Sequence, residues 1–177
     1  ITVGTGMTGA INKFQRILGI RLNENLKDHT QVPDEKRPII FVSHMEHHSN
    51  QTSWLETIAK VEVIQSNEQG LPCLKNLEFL LDKYQHVPLK IAAITGCSNV
   101  TGIRTNYHEI AKIMHQNNGL CFVDFACGAP YMQIDMHPEE EACSLDAIFF
   151  SPHKFLGGPG TSGVLIFNKK LYHNLVP

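Results

Sequence analysis

Two rhythms of apolar residues alternate along the chain. After Gly4-Thr5-Gly6, the positions Met7, Ala10, Ile11, Phe14, Ile17 and Leu18 recur at helical spacing, with Gly19 as the stop. Ile39-Ile40-Phe41-Val42 is a short continuous apolar run, as in a strand buried on both faces. Ser49 or Asn50 is expected to cap a helix carrying Leu55, Ile58 and Ala59, and Val61-Glu62-Val63-Ile64 reads as the next strand. Leu74, Leu77, Leu80, Leu81 and Tyr84 form a further helical stripe, followed by the strand Lys90-Ile91-Ala92-Ala93-Ile94. Tyr107, Ile110, Ala111 and Met114 mark another helix, stopped at Asn118-Gly119. Three more runs read as strands: Leu120-Cys121-Phe122-Val123 ending on Asp124, Ala147-Ile148-Phe149-Phe150 ending on Ser151, and Gly163-Val164-Leu165-Ile166-Phe167.

This alternation predicts an α/β fold: a mainly parallel sheet with helices on both faces, an α-β-α sandwich. Ligands of such sheets gather beyond the carboxyl ends of the strands. Residues 43–50, 97–99, 124–127 and 151–154 are all expected there, and they carry most of the chain's reactive side chains.

Composition narrows the class. Of 177 residues, 42% are apolar and 18% charged, enough for one packed domain spanning residues 1–177. The formal net charge of −2, without a basic stripe, leaves nucleic-acid binding no electrostatic footprint. No apolar run is long enough to span a membrane, and no signal peptide is visible. Cys73, Cys97, Cys121, Cys127 and Cys143 are odd in number and contain no C-x-x-C pair, which points to reduced thiols and a cytoplasmic location. Opening on Ile1-Thr2-Val3 and stopping at Leu175-Val176-Pro177, the chain reads as truncated at both ends.

Four constellations carry candidate chemistry. Gly4-Thr5-Gly6-Met7-Thr8-Gly9 fits G-x-G-x-x-G before a helix, where free N–H groups favour an anion. A dinucleotide would need a second strand with an acidic residue about 20 positions on. The candidates Glu24 and Asp28 lie in a polar stretch, so a single phosphate fits better, with a plain glycine turn as the bland alternative. His44-Met45-Glu46-His47-His48 invites a metal, but Asn76 stands where the second cysteine after Pro72-Cys73 should be, and H-E-x-x-H is absent. We therefore assign no metal. A histidine there can stack on an aromatic ligand or belong to a polar loop and helix cap. Asp124 at a strand end is either a turn former or a partner for a protonated pyridine nitrogen. Lys154, beside Ser151 and His153 and before Gly157-Gly158-Pro159-Gly160, suits a phosphate-bearing ligand. Partial desolvation there would lower its pKa and sharpen it as a nucleophile.

In order, these residues resemble the class V aminotransferase family of fold-type I pyridoxal phosphate (PLP) enzymes, which includes cysteine desulfurases and selenocysteine lyases. The resemblance covers essentially the whole chain, as the family's PLP-binding large domain. Gly6-Met7-Thr8 is similar to the family's phosphate-binding helix start, and Glu46-His47-His48-Ser49-Asn50 to its E-H-H-[AS]-N run, which implies that His47 stacks on the PLP ring. Ser98-Asn99-Val100-Thr101-Gly102 resembles S-N-x-x-G, placing Asn99 near the phenolic oxygen. Val123-Asp124 resembles the pair that supplies the carboxylate for the pyridine nitrogen. Ser151-Pro152-His153-Lys154 resembles S-x-H-K, with Ser151 and His153 on the phosphate and Lys154 forming the Schiff base. Where desulfurases read V-D-x-A-Q, this chain has Cys127, a poor hydrogen-bond donor beside the phenolic oxygen.

The resemblance implies catalysis on an amino acid by Lys154, His47 and Asp124, as a transferase or lyase, in a protein that is a homodimer at full length. Family members carry a mobile cysteine and a carboxylate-binding arginine in a C-terminal part beyond Pro177. Two other readings stay open: an NAD-type oxidoreductase domain resting on Gly4, Gly6 and Gly9, and an inactive PLP-fold fragment serving as an interaction module.

Overall fold

The computed structural model describes residues 1–29 and 31–175, except the side chains of Val3, Glu24, Lys27 and Asp28. Val176 and Pro177, read above as part of a cut end, lie outside the described residues. The elements run β1 (Thr2–Val3), α1 (Gly6–Ile17), β2 (Ile39–Ser43), α2 (His48–Leu55), β3 (Lys60–Ile64), α3 (Leu74–Lys83), β4 (Lys90–Thr95), α4 (Tyr107–Gln116), β5 (Leu120–Asp124), β6 (Ala147–Phe150) and β7 (Gly163–Phe167).

The strands form one sheet in the order β1-β7-β6-β5-β4-β2-β3. β3, β2, β4, β5 and β6 are parallel, and β7 runs antiparallel to both of its neighbours. Two-fold alternation along each strand sends successive residues to opposite layers. Ile40, Val42, Ile91, Ala93 and Phe122 pack with Met7, Ile11 and Phe14 of α1 and Trp54 of α2. Ile39, Phe41, Ala92, Ile94 and Val123 pack with Leu77 and Leu81 of α3 and Ile110 and Met114 of α4. The continuous apolar runs are thus strands buried on both faces, and helices cover both sides as expected. Phe14 anchors the first layer, its ring centroid 4.9 Å from that of Phe122 and 5.0 Å from that of Phe167.

Two expectations need correction. α2 is capped by His47, whose side chain accepts the Ser49 N–H, not by Ser49 or Asn50. The helix ends at Leu55, which is exposed, so Ile58 and Ala59 lie beyond it; its buried side is Asn50, Ser53 and Trp54. Polar side chains face inward here because they bond to one another, which a hydrophobic period cannot reveal. The dinucleotide reading also loses its scaffold. α1 follows a two-residue edge strand and leads to β2, with four strands lying between the two, so it joins no neighbouring parallel pair. Glu24 and Asp28 sit on a 3₁₀ turn, Glu24–His29, rather than at a strand end, and their side chains lie outside the described residues.

The chain moves outward from β2 to β3, then crosses back to β4 and on to β5 and β6. Strand order therefore reverses between β2 and β4, the position where sheets of this kind open a crevice.

Candidate active site

β2, β4, β5 and β6 end side by side at Ser43, Thr95, Asp124 and Phe150, and the loops beyond them enclose a cavity of about 250 Å³. All ten residues singled out for a cofactor line it: Gly6, Met7, Thr8, His47, Asn99, Asp124, Cys127, Ser151, His153 and Lys154.

One end of the cavity is the start of α1. Thr5 gives the helix no side-chain cap, which leaves its first-turn amides open to another partner. Ser151 Oγ accepts the Met7 N–H at 2.9 Å, tying the end of β6 to the helix start. Gly6 has φ +68°, and a Cβ there would stand 3.0 Å from His153 Cε1 and 3.3 Å from Ser151 Oγ. Only glycine lets these two side chains close around the helix end, and the result is a small cup with an anion-favouring dipole.

The floor is Asp124, 3% exposed, with Oδ1 accepting the Ala126 N–H at 2.7 Å. Burial pushes its pKa up to about 6, opposed by the Ala126 N–H and the Lys154 charge. A carboxylate in that condition gains from a cationic partner reaching it through the cavity.

His47 lines the cavity too, with Nδ1 accepting the Ser49 N–H at 3.2 Å and lying 2.8 Å from Ser49 Oγ. Partial burial lowers its pKa, aided by the charges of Lys154 and His48. The shift favours the neutral ring, the form suited to stacking.

Lys154 lies at the rim on a 3₁₀ turn, Pro152–Lys154. The expected desolvation is not seen. His153, Lys154, Phe155 and Leu156 are exposed, because the turn projects past the end of β6 and the described part of the chain does not cover it. The wall holds Asn99 and Cys127. Cys127 Sγ is 4.0 Å from Ser98 O, and its thiol meets that of Cys97, whose pKa burial raises, with Cys127 adding to the effect. His44 turns away, its Nε2 3.1 Å from Gly70 O.

Thr5, Ser49, Thr95, Cys97 and Ala126 also line the cavity; Ser49, Cys97 and Ala126 fall within the segments expected there but were given no role of their own, and Thr5 and Thr95 lie outside those segments. Thr5, Thr95, Cys97 and Ala126 sit at or just past a strand end, where position past an apolar run was the available signal, and Ser49 lies in the first turn of α2. Glu46 was quoted within a motif without a role. Its carboxyl is enclosed although the residue as a whole is half-buried, and burial raises its pKa to about 7 against the pull of its hydrogen bonds.

Comparison with known proteins places the chain in a family. The model of the aminotransferase class V family matches residues 23–177. A probable cysteine desulfurase of Halalkalibacterium halodurans is 33% identical over 142 residues, covering 78% of this chain and 33% of the relative. A cysteine desulfurase of Shigella sonnei is 32% identical over the same shares. Among solved structures, an Escherichia coli cysteine desulfurase superposes with a TM-score of 0.72 at 29% identity, over 96% of this chain and 39% of that one. A NifS-like protein of Rickettsia africae gives the same TM-score at 23% identity, over 99% and 42%, and speaks for the fold alone. The chain thus spans about a third of the length of the curated relatives it matches. With 155 of its 177 residues matched, counted from 23 to 177, the chain belongs to the class V aminotransferase family.

Proposed function

We propose that this chain is the cofactor-binding part of a PLP-dependent enzyme acting on an amino acid, either of the cysteine desulfurase or selenocysteine lyase kind or an aminotransferase. One observation carries the reading. A single cavity holds an open helix start at one end, a buried carboxylate on its floor, an imidazole in its lining and a primary amine at its rim.

The residues fit the group. The amides at the start of α1, with Ser151 and His153, would hold the phosphate, in a cup that any side chain at Gly6 would fill. Asp124 would take the proton-bearing ring nitrogen, and that cation would favour its ionised form against the burial that now raises its pKa. His47 would lie on the ring face, with Asn99 and Cys127 toward the phenolic oxygen. Lys154 would tether the cofactor through its amine and would be the base that moves the proton at the substrate's α-carbon. When bound, PLP supplies an electron sink for the charge left at that carbon. The exposure of Lys154 fits a site that a second copy of the chain completes in a homodimer.

The test is an absorbance titration of the full-length protein with PLP. Wild type acquires a visible band beyond that of free PLP, and Lys154→Ala does not. A wild-type protein that neither carries PLP nor responds spectrally to it overturns the reading.

A further inference from the structure

The sheet is split at the site. β2 pairs with β3 as far as Ser43↔Ile64, and β4 pairs with β5 as far as Thr95↔Asp124. Between them, β2 and β4 pair only from Ile39↔Lys90 to Phe41↔Ala92. Beyond that point the backbone groups that would have continued the ladder need other partners, since buried peptide groups left unpaired are costly.

Two side chains take them. Glu46 Oε1 accepts the Thr95 N–H of β4 at 2.8 Å, the Ser43 N–H of β2 at 3.3 Å and the Ser43 hydroxyl at 2.5 Å. Asn50 Nδ2 donates to Ala93 O of β4 at 3.3 Å and to Glu46 Oε2 at 2.6 Å. Asn50 is fully buried, and its own Oδ1 accepts the Trp54 Nε1–H at 3.1 Å, fixing the carboxamide from α2. The ladder bonds missing between the two strands are thus replaced by a carboxyl and a carboxamide from the segment that carries His47.

We infer that Glu46 and Asn50 are positioning residues, a polar wedge that holds the carboxyl ends of β2 and β4 apart and sets where His47 stands relative to Asp124. The two tie points lie on either side of His47 in sequence, so the imidazole can shift along neither strand without breaking one of them. Thr95, bonded to Glu46, is the register partner of Asp124. One side chain therefore references both faces of the cavity to the same carboxyl. This deepens the PLP reading and, for its effect on the cofactor, rests on it.

The test has a cofactor-free arm and a cofactor arm. In the 177-residue chain, amide exchange by NMR reads the Thr95 N–H, imidazole resonances read His47, and fluorescence reads Trp54, the chain's only tryptophan. Glu46→Ala exposes the Thr95 amide, with exchange faster by about tenfold or more, and moves the His47 resonances. Glu46→Gln, which keeps an acceptor for Thr95 and Ser43 but faces Asn50 with an amide, restores Thr95 protection and His47 while shifting Trp54 emission. If Glu46→Ala does not fold, Glu46→Gln still decides, through its combination of kept Thr95 protection and altered Trp54. In the full-length protein, Asn50→Ala and Glu46→Ala weaken PLP binding by about tenfold. Unchanged Thr95 exchange and His47 resonances in Glu46→Ala overturn the wedge. Altered Thr95 exchange with unaltered PLP affinity overturns the positioning role. Absence of PLP binding in wild type refutes the cofactor reading instead, and the Thr95 and His47 readouts then decide the wedge on their own.

Discussion

Asp124→Asn is predicted to stabilise the cofactor-free chain while disabling the site. The carboxyl is 3% exposed, and burial raises its pKa from 3.8 to about 6. A carboxyl that binds its proton more tightly when folded favours folding at low pH, and this contribution is lost as pH rises from the unfolded value through the folded one. Above both values the ionised group destabilises the fold by about 3 kcal/mol, at about 1.4 kcal/mol per pKa unit. Asparagine has nearly the same shape and can keep the Ala126 N–H bond through its carbonyl oxygen, but carries no charge to bury. Urea denaturation of the cofactor-free chain should therefore show the variant more stable by about 3 kcal/mol at pH 8, about half that at pH 5, and less than about 1 kcal/mol at pH 4. On the proposed PLP function, the same substitution in the full-length protein should sharply lower activity, because asparagine cannot hold a ring nitrogen protonated. An Asp124→Asn chain no more stable than wild type at pH 8, or an advantage that does not shrink on acidification, would refute the reasoning.

Other outcomes follow from the same geometry. Gly6→Ala must adopt φ +68° and press its Cβ on His153 and Ser151, so it should cost about 2–3 kcal/mol in urea denaturation and weaken PLP binding in an absorbance titration. Gly163→Ala would place a Cβ 1.9 Å from Gly6 O, backbone against backbone, and should leave little folded protein by circular dichroism. Cys127→Gln supplies an amide donor on the cavity wall and should tighten PLP binding by about threefold to tenfold in the same titration. His115 bonds to Asp146 at 2.9 Å and Ala142 O at 2.7 Å, and chiefly the Asp146 bond raises its pKa. That stabilisation is present below its ordinary pKa and is lost as pH rises through the folded one, so His115→Gln should flatten the fall in thermal midpoint across that window.

The fold was largely legible because its core writes itself in periods. Runs such as Ile39-Ile40-Phe41-Val42 and Leu120-Cys121-Phe122-Val123 have no polar face, so they fit only strands covered on both sides, and the stripes of α1, α3 and α4 are each single apolar faces. α2 departs from the expected stripe because its inward residues beside Trp54 are polar: Asn50 is satisfied across the sheet by Ala93 O and Ser53 within the helix by Asn50 O, a condition invisible to hydropathy.

For the candidate site, the sequence by itself determined which residue types stand at the strand ends, because a chain leaving a buried strand must turn where ligands are met. Asp124, Ser151 and Lys154 could be named on that ground, Gly6 from the glycine pattern before a helix, and His47 among its neighbouring histidines from the family resemblance. Tertiary structure alone decided the rest. Strand order brings Asp124 beside Thr95 and opens the split that Glu46 fills, and hydrogen bonding over long separations makes Ser151 part of the α1 cup. The same arrangement leaves Lys154 exposed at the rim while Asp124 is buried on the floor. Burial and strand neighbours depend on how the sheet is wound, and residues far apart in the chain acquire shared electrostatics only once that winding is complete.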